Sequence, residues 1–163
     1  MVREILLTKG KIALVDDNDY ELVNQWKWLA RTNGCGNWYA YRNSHTNKQN
    51  HCVAMHNIIL KPQKGLICDH INGNSLDNRR INLRECTNTE NIRNQKLQSR
   101  SKSSVFKGVH YCQRDRVWRA KVVVNKKDIS LGTFRSEIKA ALAYDDGAKK
   151  HYGEFARLNF IEV

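Results

Sequence analysis

The stretch from Lys96 to Ser104 reads Lys-Leu-Gln-Ser-Arg-Ser-Lys-Ser-Ser and holds a single apolar residue, Leu97. A run so polar and serine-rich has nothing to bury, so it reads as a basic tether between two separately folding parts. At 163 residues the chain is about one domain long, or two small ones with modest cores, and neither half can bury much by itself. No internal repeat relates the halves.

The charge balance narrows the partner. Lys and Arg number 28 against 16 Asp and Glu, a formal net charge of +12, and such self-repulsion is best tolerated in a chain whose partner is a polyanion. Nucleic acid leads and an anionic membrane surface comes second. No apolar run approaches the roughly 20 residues that cross a bilayer, and Met1 to Glu4 lead into a strand-like stretch with no signal-peptide core. A soluble, cytoplasmic protein with no membrane partner is expected. The cysteines at 35, 52, 68, 86 and 112 form an odd set without a CxxC pair, which speaks against a disulfide framework and a zinc ribbon and for reduced structural thiols.

Residues 1–54 read as a β-rich supporting region. Two β-rich runs about Lys9-Gly10 predict a hairpin, and Asp16 to Asp19 supply caps for a short helix carrying Tyr20, Leu22, Val23 and Trp26. Trp28, Trp38, Tyr39 and Tyr41 flank the turn residues Asn33 to Gly36, predicting a second hairpin whose aromatics are read as core in preference to base stacking. Between Cys52 and Leu60 the apolar pattern passes from alternating to clustered, as where a strand feeds a helix. Pro62 ends that helix.

The chemistry concentrates further on. Asp69-His70 is followed by the polar loop Ile71-Asn72-Gly73-Asn74, then by Asn82-Leu83-Arg84 and by Thr87-Asn88-Thr89-Glu90, which has the form of a capping box and starts a helix that carries Asn91. Neighbours on a strand point opposite ways, so Asp69 and His70 serve one centre only at a distorted strand end or in a loop. An acid and an amide offer oxygen ligands of the kind magnesium takes, with water and substrate phosphate completing its shell. A histidine beside such an ion is placed to act as a base.

Residues 55–95, through Met55-His56, Asp69-His70-Ile71-Asn72-Gly73-Asn74, Asp77-Asn78, Asn82-Leu83-Arg84 and Asn91, resemble the HNH nucleases in their phage and intron homing-endonuclease branch. The resemblance implies a ββα-metal module in which Asp69 and Asn91 hold one Mg2+ or Mn2+ ion and His70 is the general base. Asn82 then orders the loop that holds His70. Asn91 stands where the motif's third letter is histidine, a variation that this branch also shows. Arg79 and Arg84 are candidate phosphate contacts. His56 is read as filling the strand-helix junction, with seating of a phosphate as its alternative, and His45 and His51 are not read as ligands.

After the tether, Trp118, Ala120 and Val122 alternate with Arg119, Lys121 and Val123, giving a strand with an apolar and a more polar face. With residues 108–112 and 129–134 it predicts a three-stranded antiparallel sheet. Ser136 caps a following helix whose face is read as Ile138, Ala141, Leu142, Asp145, Ala148 and Tyr152, ending at Gly153. Through Phe106 to Val109, Trp118 to Ala120, Leu131 to Phe134, Ala140 to Asp145 and Ala156 to Phe160, residues 105–160 resemble the ethylene-response-factor type of DNA-binding domain, the APETALA class, and 105–163 is taken as that module. The resemblance implies a sheet lying in the DNA major groove with the helix behind it. The implied contacts are Lys107, Gly108, His110, Arg114, Arg116, Arg119, Lys121, Ser130 and Thr133. Plant members carry arginines and tryptophans at several places where this chain has Lys107, His110, Val123, Asp128 and Ser130. Groove docking carries over; sequence preference does not.

The expected fold is therefore α+β: residues 1–54 supporting an HNH module at 55–95, a linker at 96–104, and a sheet packed on one helix at 105–163. The expected function is a metal-dependent DNA endonuclease of the homing or mobile-element kind, with double-stranded DNA as partner. One metal centre per chain makes a monomer a nicking enzyme. The alternatives are a non-catalytic DNA-binding regulator that kept the nuclease framework and, less favoured, an RNA-binding protein, since the sheet lacks an aromatic stacking platform.

Overall fold

The computed structural model describes residues 1–34, 36–46, 49–97 and 103–160. Residues 98–102 of the basic tether and Cys35 of the second turn lie outside them. The chain divides into two compact units, Met1–Thr89 and Glu90–Val163. It is mixed α and β, with small antiparallel sheets and few helices.

In the first unit, β1 (Val2–Leu6) and β2 (Ile12–Asp16) form the hairpin, turning where Lys9 and Gly10 both take positive φ. The helix α1 (Asp17–Asn24) follows directly. A three-stranded sheet comes next, β3 (Leu29–Thr32), β4 (Trp38–Thr46) and β5 (Gln49–Ala54), in the order β3-β4-β5. The strand β5 runs into α2 (Met55–Leu60), which stops at Lys61, left-handed at φ 53 just before Pro62. One core joins most of these elements: Val15, Val23, Trp28, Ala40, Met55 and Ile59 are buried together, joined by Leu83 from further along the chain. The aromatics read as core split accordingly. Trp28 is buried, whereas Trp38, Tyr39 and Tyr41 are half-buried, with Lys9 and Lys11 over the Trp38 ring and Arg42 over that of the half-buried Trp26.

A two-stranded ribbon, β6 (Ile67–His70) and β7 (Leu83–Cys86), completes the unit with Asp69 opposite Arg84 and His70 opposite Leu83. Its intervening loop is tied to β2, because Leu14 donates to the Leu76 carbonyl at 2.8 Å and accepts from the Asn78 amide at 2.7 Å. The helix α3 (Asn88–Asn94) begins one residue after Thr87 and runs across the division between the units.

The second unit is built on β8 (Val109–Cys112), β9 (Val117–Val124) and β10 (Lys127–Phe134) in the order β10-β9-β8, covered on one face by α4 (Glu137–Tyr152). Ala120 and Val122 are buried against Ala140, Ala141, Tyr144 and Ala148, while Lys121 and Val123 face out. Ser136 caps α4 by accepting from the Lys139 amide. The packed face of the helix is rotated from the expected one: Ile138 and Leu142 are exposed, and Ala140, Tyr144 and Gly147 lie inside. Steric fit decides this. A Cβ at Gly147 would fall 2.5 Å from Leu131 Cδ1, so the helix lies this close because that position has no side chain. Buried Asp145 accepts from the Asn159 and Phe160 amides at 2.8 and 2.9 Å, tying the C-terminal segment to the helix.

Candidate active site

The loop between β6 and β7 is rich in Asn and Asp because its backbone is satisfied by side chains and not by a ladder. Asn72 Oδ1 accepts from the Asn74 amide at 2.7 Å, and Asn74 Oδ1 from Leu76 at 3.2 Å. The buried Asn82 closes the loop: its Oδ1 accepts from the Asn72 amide at 2.9 Å, its Nδ2 donates to the Asp77 carbonyl at 2.7 Å, and its own carbonyl accepts from Ile71 at 2.9 Å. Three bonds from one residue hold the chain just after His70.

His70 ends β6 and is buried at 7% exposure. Its Nε2 lies 3.2 Å from Asn78 Oδ1, and Asn78 is fully enclosed. The Asn78 amide nitrogen is directed at Met55 Sδ, 3.6 Å away, and at the Leu76 carbonyl, 3.4 Å away. Its oxygen is thereby the group facing the ring, so in the neutral imidazole the proton sits on Nε2 and the lone pair on Nδ1. Burial lowers the His70 pKa from the usual 6.5, while the Asn78 carbonyl and then the charges of Asp69 and Asp77 work against that shift. A second imidazole, that of His56 on α2, meets the His70 ring edge-on with centroids 5.1 Å apart, and Tyr39 of β4 packs on both at 6.0 and 6.2 Å. Burial and then the neighbouring His70 push His56 down to about 3, so it is neutral at pH 7.

Asp69 is buried at 5% exposure, and its Oδ2 accepts from Arg84 Nε at 3.0 Å and Nη2 at 2.8 Å. Asp69, His70, Asn82 and Arg84 are thus gathered on one ribbon and its loop. Arg79 is held by Asp77, Nε to Oδ1 and Nη2 to Oδ2, each at 2.7 Å, and this bond, ahead of the pair's charge attraction, lowers the Asp77 pKa. Arg80 grips buried Asp19 on α1 at 2.8 and 2.7 Å. Asn91 lies half-buried on α3 in the second unit, its backbone carbonyl accepting from the Gln95 amide at 3.1 Å. Among the described residues no group of three or more His, Cys, Asp or Glu is arranged to hold a metal.

In the second unit several cations of the sheet and its turns are paired with carboxylates. Asp115 accepts from Arg114 Nε at 2.9 Å and from Arg119 Nη2, and Asp128 accepts from Lys121 Nζ at 2.6 Å. Lys107 Nζ donates to the carbonyls of Arg93 and Gln95 at the end of α3, a helix-capping use of its charge. Arg116, Ser130 and Thr133 are exposed and His110 is half-buried. Gly108 has φ +75, and a Cβ there would fall 1.9 Å from Tyr144 Cδ2, so its place is dictated by packing.

Asn78, His56 and Tyr39 are the members of this cluster whose part spacing did not reveal. His56 was expected at a strand-helix junction and is there, but its packing on His70 depends on β4, α2 and β6 converging.

Residues 53–93, from β5 into α3, match the HNH endonuclease family. The chain is also 28% identical over 154 residues to an HNH endonuclease of Acanthamoeba polyphaga mimivirus that is itself called uncharacterized, a match covering 94% of this chain and 78% of that protein. A short match, 61% identical over 33 residues, links it to the dehydration-responsive element-binding protein 2C of Arabidopsis thaliana, covering 20% of this chain and 10% of that protein.

Proposed function

We propose that this protein is a divalent-metal-dependent DNA endonuclease of the homing or mobile-element kind that nicks one strand, with His70 as its general base. The observation that carries the reading is the bond between Asn78 Oδ1 and His70 Nε2 at 3.2 Å. It leaves Nδ1 as the basic nitrogen of a neutral ring, and burial keeps the ring neutral at pH 7. Nδ1 then takes the proton of the attacking water, while the loop stapled by Asn82 keeps the imidazole from turning away. Arg79 and Arg84 are assigned to backbone phosphates of the DNA.

Asp69 and Asn91 are the residues assigned to a single Mg2+ or Mn2+ ion. The donor chemistry fits: a carboxylate and an amide oxygen suit a hard ion that retains waters and draws on substrate phosphate. When bound, the ion supplies charge stabilisation at the scissile phosphate and the leaving 3′-oxygen.

The second unit is assigned to DNA targeting, with β8, β9 and β10 entering the major groove, supported by the short match to a plant protein named as element-binding and by the exposed Lys121, Arg116, Ser130 and Thr133 on the sheet and its turns.

Relaxation of supercoiled plasmid in the presence of magnesium tests the reading. The wild-type chain should leave nicked circles with 5′-phosphate and 3′-hydroxyl ends, and His70→Ala and Asp69→Ala should not. Binding without cleavage under any divalent ion would instead mark a regulator built on a nuclease framework.

A further inference from the structure

The carboxylate assigned to the metal has a cation of the protein's own on it. Asp69 and Arg84 are register partners on β6 and β7, so the pairing is built into the ribbon. Two donors of the guanidinium converge on one oxygen, Oδ2, at 3.0 and 2.8 Å, and the side chains are only 5% and 11% exposed. A divalent ion cannot coordinate an oxygen that two N–H groups occupy. Nor can the guanidinium vacate it by losing a proton, because arginine stays charged at any working pH. For an ion to take Oδ2 the guanidinium has to move, and it moves at low cost only if another anion receives it.

We infer that Arg84 is the resident counter-ion of Asp69, and that it couples metal loading to the arrival of DNA. In the free protein Arg84 holds the buried carboxylate in place, and competes with the divalent ion for Oδ2. A DNA phosphate offers the guanidinium a bidentate partner, releasing Oδ2 as the phosphate arrives. Metal and DNA then each strengthen the binding of the other, as reciprocity of coupled sites requires. The inference rests on the assignment of Asp69 as a metal ligand. Its consequence is a site that takes up its ion poorly until substrate is present.

The test is Mn2+ binding to the full chain, without DNA, followed by titration calorimetry and by the ion-dependent rise in melting temperature, for the wild type, Arg84→Met and Asp69→Asn. Removing the competitor should tighten Mn2+ binding of the free protein by about 5-fold to 150-fold, the usual span of coupling between two sites, and Mn2+ should raise the melting temperature of Arg84→Met more than that of the wild type. Adding a short duplex should tighten Mn2+ binding in the wild type and much less in Arg84→Met. If Arg84→Met binds Mn2+ no better than the wild type while Asp69→Asn loses it, the counter-ion role is overturned and the ligand assignment stands. If Asp69→Asn binds as the wild type does, the ligand assignment itself fails. Should Arg84→Met not fold, Arg84→Lys carries the same test, because a single ammonium cannot place two donors on Oδ2: tighter Mn2+ binding supports the proposal and unchanged binding overturns it.

Discussion

The side-chain oxygen of Asn78 lies 3.2 Å from Nε2 of His70, and both groups are buried. The proposed catalysis by the opposite ring nitrogen depends on that bond. His70→Ala should lower the nicking rate roughly 10²-fold to 10⁴-fold, the usual worth of a positioned base, and Asn78→Leu should lower it less, by releasing the tautomer without removing the imidazole. Asn78→Asp sets a carboxylate at Nε2, which favours the imidazolium and moves the acid limb of the pH-rate profile upward. In the wild type burial lowers the His70 pKa from the usual 6.5, so the proposed limb is expected on the acid side of that value. Rates measured between pH 5 and 8 decide; an unmoved limb in Asn78→Asp would break the assignment.

His56 makes the fold sensitive to acid. Its pKa falls from 6.5 to about 3 on folding, so between those values the unfolded chain holds a proton that the native chain does not. Stability therefore rises with pH across that window: the contribution is complete above 6.5 and is lost as pH falls from there toward 3. His56→Leu should flatten this part of the curve. Urea midpoints for both proteins at pH 7 and pH 4.5 give the comparison, and equal drops would refute it.

Packing of the second unit depends on Gly108. A methyl group there would meet the Tyr144 ring at 1.9 Å with φ at +75, so overpacking and left-handed strain act together. Gly108→Ala should cost about 2 to 6 kcal/mol, from roughly 1 to 3 for each effect, read from urea unfolding.

Lys121 spends its charge on Asp128 at 2.6 Å, with both side chains about half exposed. Asp128→Asn frees that charge for DNA. Duplex affinity should rise, and the slope of log K against log salt should steepen by about 0.9, one phosphate contact. An unchanged slope would place Lys121 away from the DNA backbone.

Much of the local architecture was legible because it is local. Alternation in residues 117–124 marks a strand and its two faces, and Ser136 and Gly153 bracket a helix, since period and capping act between residues a few positions apart. The α4 face was read less well: hydrophobicity nominated Ile138 and Leu142, whereas closeness of approach selected Ala140, Tyr144 and Gly147, and only the partner surface carries that information.

For the candidate site, the sequence by itself determined the order and identity of Asp69, His70, Asn82 and Arg84 and the Asn-rich character of the loop between them, because adjacent residue types and turn chemistry suffice for that. Tertiary structure alone decided what each side chain meets. Asn78 reaches His70 only once the loop closes on Asn82 and docks on Leu14, and His56 and Tyr39 arrive from α2 and β4. Arg84 settles on Asp69 because strand register puts them opposite each other. Charge sets the need for a counter-ion, but register chooses which one.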